Sequence, residues 1–301
     1  MNMKSLQWLS LAAVLAALPV ECAFAQQGPP PNYASIVRQG YNLGKVDAEK
    51  LEASLASKPD DLEARTRLLG YYWRGARYET PETKIAARRR HILWLIEHRP
   101  ASEPAGLRQT TINRTGRALV DPEGHDQAAK LWIEQAQRHG TDAKVLGNAA
   151  WFFLMYDKAR AEALLKQAKH AAPGEAEWSS RLGLVYAMSI LGLDSMNENF
   201  FPFSHNPADA AGEFARHARQ ELEKSTDVPM LLTAGLFLAE RGLMLDGMSR
   251  RTDRPLTVDY GALSDAFLLR AQELDPANQG YSQLLQELRK QRQELESGTK
   301  R

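Results

Sequence analysis

Apolar residues recur at helical spacing along most of this chain, and the helical runs are punctuated at intervals by proline, glycine or aspartate. The run "VDAEKLEASLASKPDD" places Val46, Leu51 and Leu55 near one face, and Pro59 follows its end. "KIAARRRHILWLIEHRPAS" carries Ile85, Ile92, Leu95 and Ile96 on one stripe and stops at Pro100. In "GHDQAAKLWIEQAQRHGTD", Asp126 reads as N-cap, Ala128, Leu131 and Trp132 point inward, and Gly140 closes the helix. "DKARAEALLKQAKHAAPGE" runs through Ala161, Leu164, Leu165 and Ala168 to Pro173. "AGEFARHARQELEKSTD" ends near Asp227, and "LLRAQELDPANQGY" ends on Pro276. Alternating β-type segments are scarce, so an all-α fold is predicted.

Between most of these stops lies a second, more aromatic helix: "ARTRLLGYYW", "AKVLGNAAWFFLMY", "WSSRLGLVYAMSIL" and "PMLLTAGLFLAERG". The unit is a helical hairpin repeated every ~33 to 50 residues, which is the spacing of an α-solenoid. A non-repetitive bundle of Ala-rich helices is the competing arrangement.

The residues resemble the tetratricopeptide repeat. A repeat starting at Asp142 and ending at Pro173 puts Ala149 at the small position of the first helix and Phe152 at its aromatic position. Ala161, Leu165 and Ala168 take the packing positions of the second helix. The next unit matches through Leu182, Gly183 and Tyr186, a Leu-Gly-x-x-Tyr pattern, and is then interrupted by the insert 192–210. The final unit matches at Leu268, Ala271 and Pro276, and the insert 245–263 separates its two helices. The resemblance covers most of 45–290 and is close in one repeat. It implies an α-solenoid with long inserts in its C-terminal half, and a protein or peptide partner held on the concave face.

By that resemblance the groove is lined by Leu146, Ala150, Phe153 and Leu154 in one repeat and by Leu184 and Met188 in the next. Ala150 and Leu184 stand where an asparagine would hold a partner's terminal carboxylate, so no such clamp is expected. The groove reads as apolar, suited to an amphipathic helix or apolar peptide, unless the chain's own inserts fill it. Phe200, Phe201 and Phe203 in the Pro-bounded insert read as a plug over that groove or as a lid for a partner.

Composition changes the picture mainly at the N-terminus. Lys4, an apolar run from Leu9 to Val20 and then Ala23-Phe24-Ala25 read as a secretory signal cut after Ala25. The run is shorter than the ~20 residues of a spanning helix, and Glu21 fits poorly with acylation of Cys22. Export to the periplasm or medium is therefore expected, with residues 26–44 as a Pro-rich leader and 291–301 as a charged tail. Cys22 is the sole cysteine and would leave with the signal, so neither disulfides nor thiolate ligands are expected. No later run is expected to approach membrane-spanning length.

The 301 residues carry a net charge of +1, which gives no field for nucleic acid. No G-x-S-x-G, Walker or Rossmann loop occurs. The seven histidines show no metal-ligand spacing; His91 and His98 lie two turns apart. No catalytic residue, cofactor or metal is expected. Asn113-Arg114-Thr115 is formally a glycosylation sequon. The reading is an exported scaffold. Its alternative is an all-helical enzyme or small-molecule binder with a pocket under the two inserts.

Overall fold

The computed structural model describes residues 31–115, 119–193, 210–252, 256, 258–278 and 280–298. The chain divides into two units, Met1–Asn32 and Tyr33–Arg301. In the first, Pro31 and Asn32 are described; the expected signal sequence lies outside the described residues.

The second unit is all-helical. Twelve α-helices occur among its described residues: α1 (Tyr33–Gly40), α2 (Lys45–Ser57), α3 (Leu62–Gly70), α4 (Pro81–His98), α5 (Pro122–Arg138), α6 (Ala143–Phe153), α7 (Lys158–Ala171), α8 (Ala176–Ile190), α9 (Glu213–Lys224), α10 (Val228–Thr252), α11 (Tyr260–Leu274) and α12 (Gly280–Gly298). A π turn, Tyr71–Gly75, extends α3. An isolated β-bridge joins Asn113 and Val120.

Helix starts follow from capping chemistry. The first amides of a helix have no partner inside it, and a short polar side chain can accept from them. Asp61 accepts from Ala64 N–H, Thr80 from Thr83 N–H, Asp157 from Arg160 N–H and Asp259 from Ala262 N–H. Asp142 accepts from both Lys144 and Val145. For α5 the cap is Asp121, not Asp126: its Oδ1 accepts from Gly124 N–H at 2.9 Å. Pro122 at the first helical position has no amide to leave unsatisfied, so the helix begins one turn earlier than expected.

Three further expectations change. The leader is shorter than 26–44, because α1 occupies Tyr33–Gly40 and buries Ile36 and Val37. The stretch 245–263 is mostly helix: α10 continues to Thr252 and α11 starts at Tyr260. Finally, Val228–Gly247 is long and apolar enough to cross a membrane by length and composition. In this fold it is a packed helix, with Leu231, Ala234 and Leu238 fully buried.

Most α-helices pack on a neighbour in sequence; α1 instead packs on α3, and α8 packs on both α9 and, two places on, α10. Close approach at α8 requires Gly183. A Cβ there would lie 2.3 Å from the Met230 carbonyl oxygen on α10. Most buried apolar residues form one continuous core from Leu69 to Ala271, with Trp132, Trp178 and Tyr186 its largest fully buried side chains. A second cluster, Ala48, Leu55, Ala64, Leu68, Tyr71, Tyr72, Ala76 and Ala87, joins α2, α3 and α4. Ala149, Phe152, Ala161, Leu165 and Ala168 are all buried, whereas Val46, expected on the inner face of α2, is 63% exposed.

Candidate functional site

The residues expected to line an apolar groove are core residues. Leu146, Ala150, Phe153, Leu154 and Met188 are buried, and Leu184 is partly buried against the same core. Ala150, Leu154 and Leu184 do surround a void, together with Trp151, Leu165, Arg181 and Val185. Its volume is about 10 Å³, room for one water at most. Arg181 on α8 helps close this region. Its guanidinium donates to the Gly147 carbonyl at 3.0 Å and to Glu177 at 2.7 Å. The apolar stripe that resembled a docking face is used for packing between α6, α7 and α8. Phe200, Phe201 and Phe203 lie outside the described residues.

An open depression of about 560 Å³ lies elsewhere, over α1, α2 and α3. Its lining is Gln39, Leu43, Asp47, Lys50, Leu51, Ser54 and Arg67. Asp47, Lys50, Leu51 and Ser54 fall at i, i+3, i+4 and i+7, so one face of α2 forms its wall. Lys50 pairs with Asp47 at 3.0 Å, and Arg67 reaches Glu63 at 3.6 Å. The Nε of Arg67 is buried and has no hydrogen-bond partner among the described residues. The depression thus combines apolar leucines, an amide, a hydroxyl, a carboxylate and two cations.

Two carboxylates anchor polar stations inside the fold, and the stations share a plan. At the first, Glu52 Oε1 on α2 accepts from Tyr72 OH at 2.9 Å, His91 Nε2 at 2.9 Å and Arg90 at 2.8 Å. The π turn carries Tyr72, and α4 carries His91 and Arg90. Arg65 stacks over Trp94 and approaches His91 Nδ1 at 3.4 Å. Burial alone would raise the Glu52 carboxyl; the hydrogen bonds from His91 and Tyr72, with the Arg90 charge, outweigh it and hold it down to about 2. Burial pushes His91 below its ordinary value despite Glu52, so the imidazole is neutral. Burial and the adjacent Glu52 push the Tyr72 phenol up.

At the second station, Glu162 Oε1 on α7 accepts from Tyr186 OH on α8 at 2.6 Å, His217 Nε2 on α9 at 2.8 Å and Lys166 Nζ at 2.7 Å. Lys166 Nζ also meets Glu221 Oε2 at 3.0 Å. Burial would raise Glu162, and the donors from Lys166, Tyr186 and His217 reverse that and lower it. Burial would lower Lys166, and Glu162 with Glu221 raises it instead. Burial and the Glu162 hydrogen bond push the Tyr186 phenol up. Glu162, His217 and Glu221 place one donor atom each within 4.8 Å of one another.

Both stations draw a carboxylate, a tyrosine and a histidine from three successive helical segments. Sequence reading passed over them because Glu52 and His91 are 39 residues apart and Glu162 and His217 are 55 apart. One signal was present: His217 and Glu221 are four apart on α9 and share a face. No protein-family model, curated protein or solved structure matches the chain.

Proposed function

We propose that the chain is an exported helical-repeat scaffold, built of hairpins resembling tetratricopeptide repeats, that binds a protein or peptide partner. Packing of most helices on the next in sequence supports the repeat reading. The duplicated carboxylate–tyrosine–histidine plan supports it further, since stacked hairpins return equivalent positions to equivalent surroundings. The apolar N-terminal run and Ala23-Phe24-Ala25 support export.

The docking surface in this reading is the depression over α1, α2 and α3, and not the stripe from Leu146 to Met188, which is core. The observation that carries it is Arg67, whose buried Nε has no partner among the described residues in the wall of an open depression. A buried donor without a partner costs stability. A peptide carbonyl or acidic side chain on a partner would pair with the exposed part of the Arg67 guanidinium or with Lys50, while Leu43 and Leu51 take an apolar side chain.

The test is site-specific photo-crosslinking. A crosslinker at Ser54 captures a discrete partner, and Leu51→Asp or Arg67→Ala abolishes the adduct without loss of helical signal. The same crosslinker at exposed Leu269 on α11 captures none of it. Identical adducts from both positions, insensitive to Leu51→Asp and Arg67→Ala, would refute the docking surface.

A further inference from the structure

The two polar stations differ where a cation sits. At the first, the third donor to Glu52 is the guanidinium of Arg90, and among the described residues no second carboxylate joins the hydrogen-bonded set. His91 there is 1% exposed. At the second, the third donor to Glu162 is the ammonium of Lys166, held between Glu162 and Glu221. His217 is 40% exposed and Glu221 35%. The second station therefore has three things the first lacks: an extra carboxylate, an accessible imidazole and a small cation on a flexible stem.

We propose that Glu162, His217 and Glu221 form a binding site for Zn2+ or a similar borderline divalent transition metal, which takes the place of the Lys166 ammonium. The donor atoms are Glu162 Oε1, His217 Nε2 and Glu221 Oε2, with water completing the sphere. One imidazole with two carboxylates selects a borderline ion over Mg2+ or Ca2+, which prefer all-oxygen sets.

The geometry needs small movements. Tetrahedral bonds of about 2.0–2.1 Å put ligand atoms roughly 3.4 Å apart. Glu162 Oε1 and His217 Nε2, now 2.8 Å apart, must separate by about half an ångström. Two of the ligands come from one face of α9 at i, i+4, and the third from α7, so the protein presents the set on packed helices.

Tyr186 is fully buried, and its hydroxyl donates to the ligand oxygen Glu162 Oε1 at 2.6 Å and lies 3.5 Å from Glu221 Oε2, which holds both carboxylates from the core side. A carboxylate accepts and does not donate, so His217 Nε2 carries the proton in the ion-paired state. Metal binding at Nε2 requires the neutral ring to carry its one proton on Nδ1 instead, a tautomer exchange through solvent, and frees Lys166 to extend into water. One dication takes the place of one ammonium between two carboxylates.

This inference stands apart from the scaffold reading and is tested on the purified full chain. Calorimetric titration with ZnCl2 is expected to give one ion per chain, and titration with CoCl2 a visible absorption band. His217→Ala and Glu221→Gln each weaken Zn2+ at least tenfold while circular dichroism is unchanged. Lys166→Met tightens Zn2+ severalfold, because the competing ammonium is gone. Lys166→Gln repeats that measurement with a polar head, should the methionine variant fold poorly. Mg2+ and Ca2+ give no comparable heat.

Stoichiometric Zn2+ binding that survives both His217→Ala and Glu221→Gln places the ion elsewhere and overturns the site. So does the absence of binding in both the unaltered chain and the Lys166 variants. Lys166 variants that bind no more tightly than the unaltered chain overturn the displacement.

Discussion

His91 Nε2 lies 2.9 Å from Glu52 Oε1, and the contact ties α4 to α2 across 39 residues of chain. The imidazole is buried and neutral, and the carboxylate it faces is ionised. Tyr72, Arg90 and Arg65 complete the surroundings.

The signs of both shifts run the same way. Glu52 moves from 4.5 to about 2 on folding, so its contribution is full above about pH 4.5 and is lost as pH falls toward 2. That shift corresponds to at most roughly 3 kcal/mol. His91 lies below 6.5 in the folded state, so below that pH the unfolded chain takes up a proton that the fold resists. Thermal melts between pH 7 and 3 should show a continuous fall in Tm with acid. His91→Gln should flatten the upper part of that fall and Glu52→Gln the lower part. A Tm unchanged from pH 7 to 4 would contradict the pairing.

Gly183 permits the contact between α8 and α10. Gly183→Ala places a Cβ 2.3 Å from a backbone oxygen, so a helix must shift. The expected loss is about 1–3 kcal/mol, read as a fall in Tm of ~2–4 °C per kcal/mol. Gly183→Val should cost more. A melting temperature within error of the unaltered chain would show that the helices stand further apart than described.

Charges placed on the stripe that resembled a groove should unfold the protein and not merely block a partner. Leu146 is 0% exposed and Phe153 4%, and an unpaired buried carboxylate costs several kcal/mol. Leu146→Asp and Phe153→Asp are expected to lose cooperative melting by circular dichroism. A full helical signal and unchanged Tm in either variant would reopen that face as a surface.

The start of α5 offers a separable test. Asp121 accepts from Gly124 N–H and is bonded twice by Arg89, with Glu123 beside it. Asp121→Ala should cost about 2 kcal/mol, combining a lost cap with a partly exposed ion pair. Asp126→Ala, at an exposed position inside the helix, should change stability by less than about 0.5 kcal/mol. Urea melts of the two variants distinguish the caps, and equal effects would contradict the assignment to Asp121.

What could be read from the sequence was local. Asp61, Thr80, Asp142 and Asp157 cap helices through amides two or three residues away, and Pro59, Pro100, Pro173 and Pro276 follow helix ends. Such signals act within one turn, so the all-α class was legible. The misplaced start of α5 came from choosing the aspartate nearest the apolar run over the one preceding Pro122. The length of α10 was hidden by Gly247 and by Arg250, Arg251 and Arg254, which resemble loop composition.

The groove failed for a different reason. A small apolar stripe on a first helix is equally suited to a partner or to its own neighbours, and Arg181 and Trp178 settle the matter only through packing. The two polar stations lay beyond reach because each joins three segments. His217 and Glu221 alone were readable as a pair, and their third member comes from α7.

The order of packing, most helices against the next, has a bearing on how the protein comes apart. Contacts between sequence neighbours close short loops, so assembly spends little chain entropy before each new surface is buried. Unfolding in such an arrangement starts at an end, where a helix has one neighbour instead of two. Among the described residues α12 is that end, resting on α11 with Tyr281 and Leu285 as its buried side chains. Amide hydrogens of α12 should exchange with solvent first, and those of α6, α7 and α8, flanked on both sides around Trp178, should be the last to go.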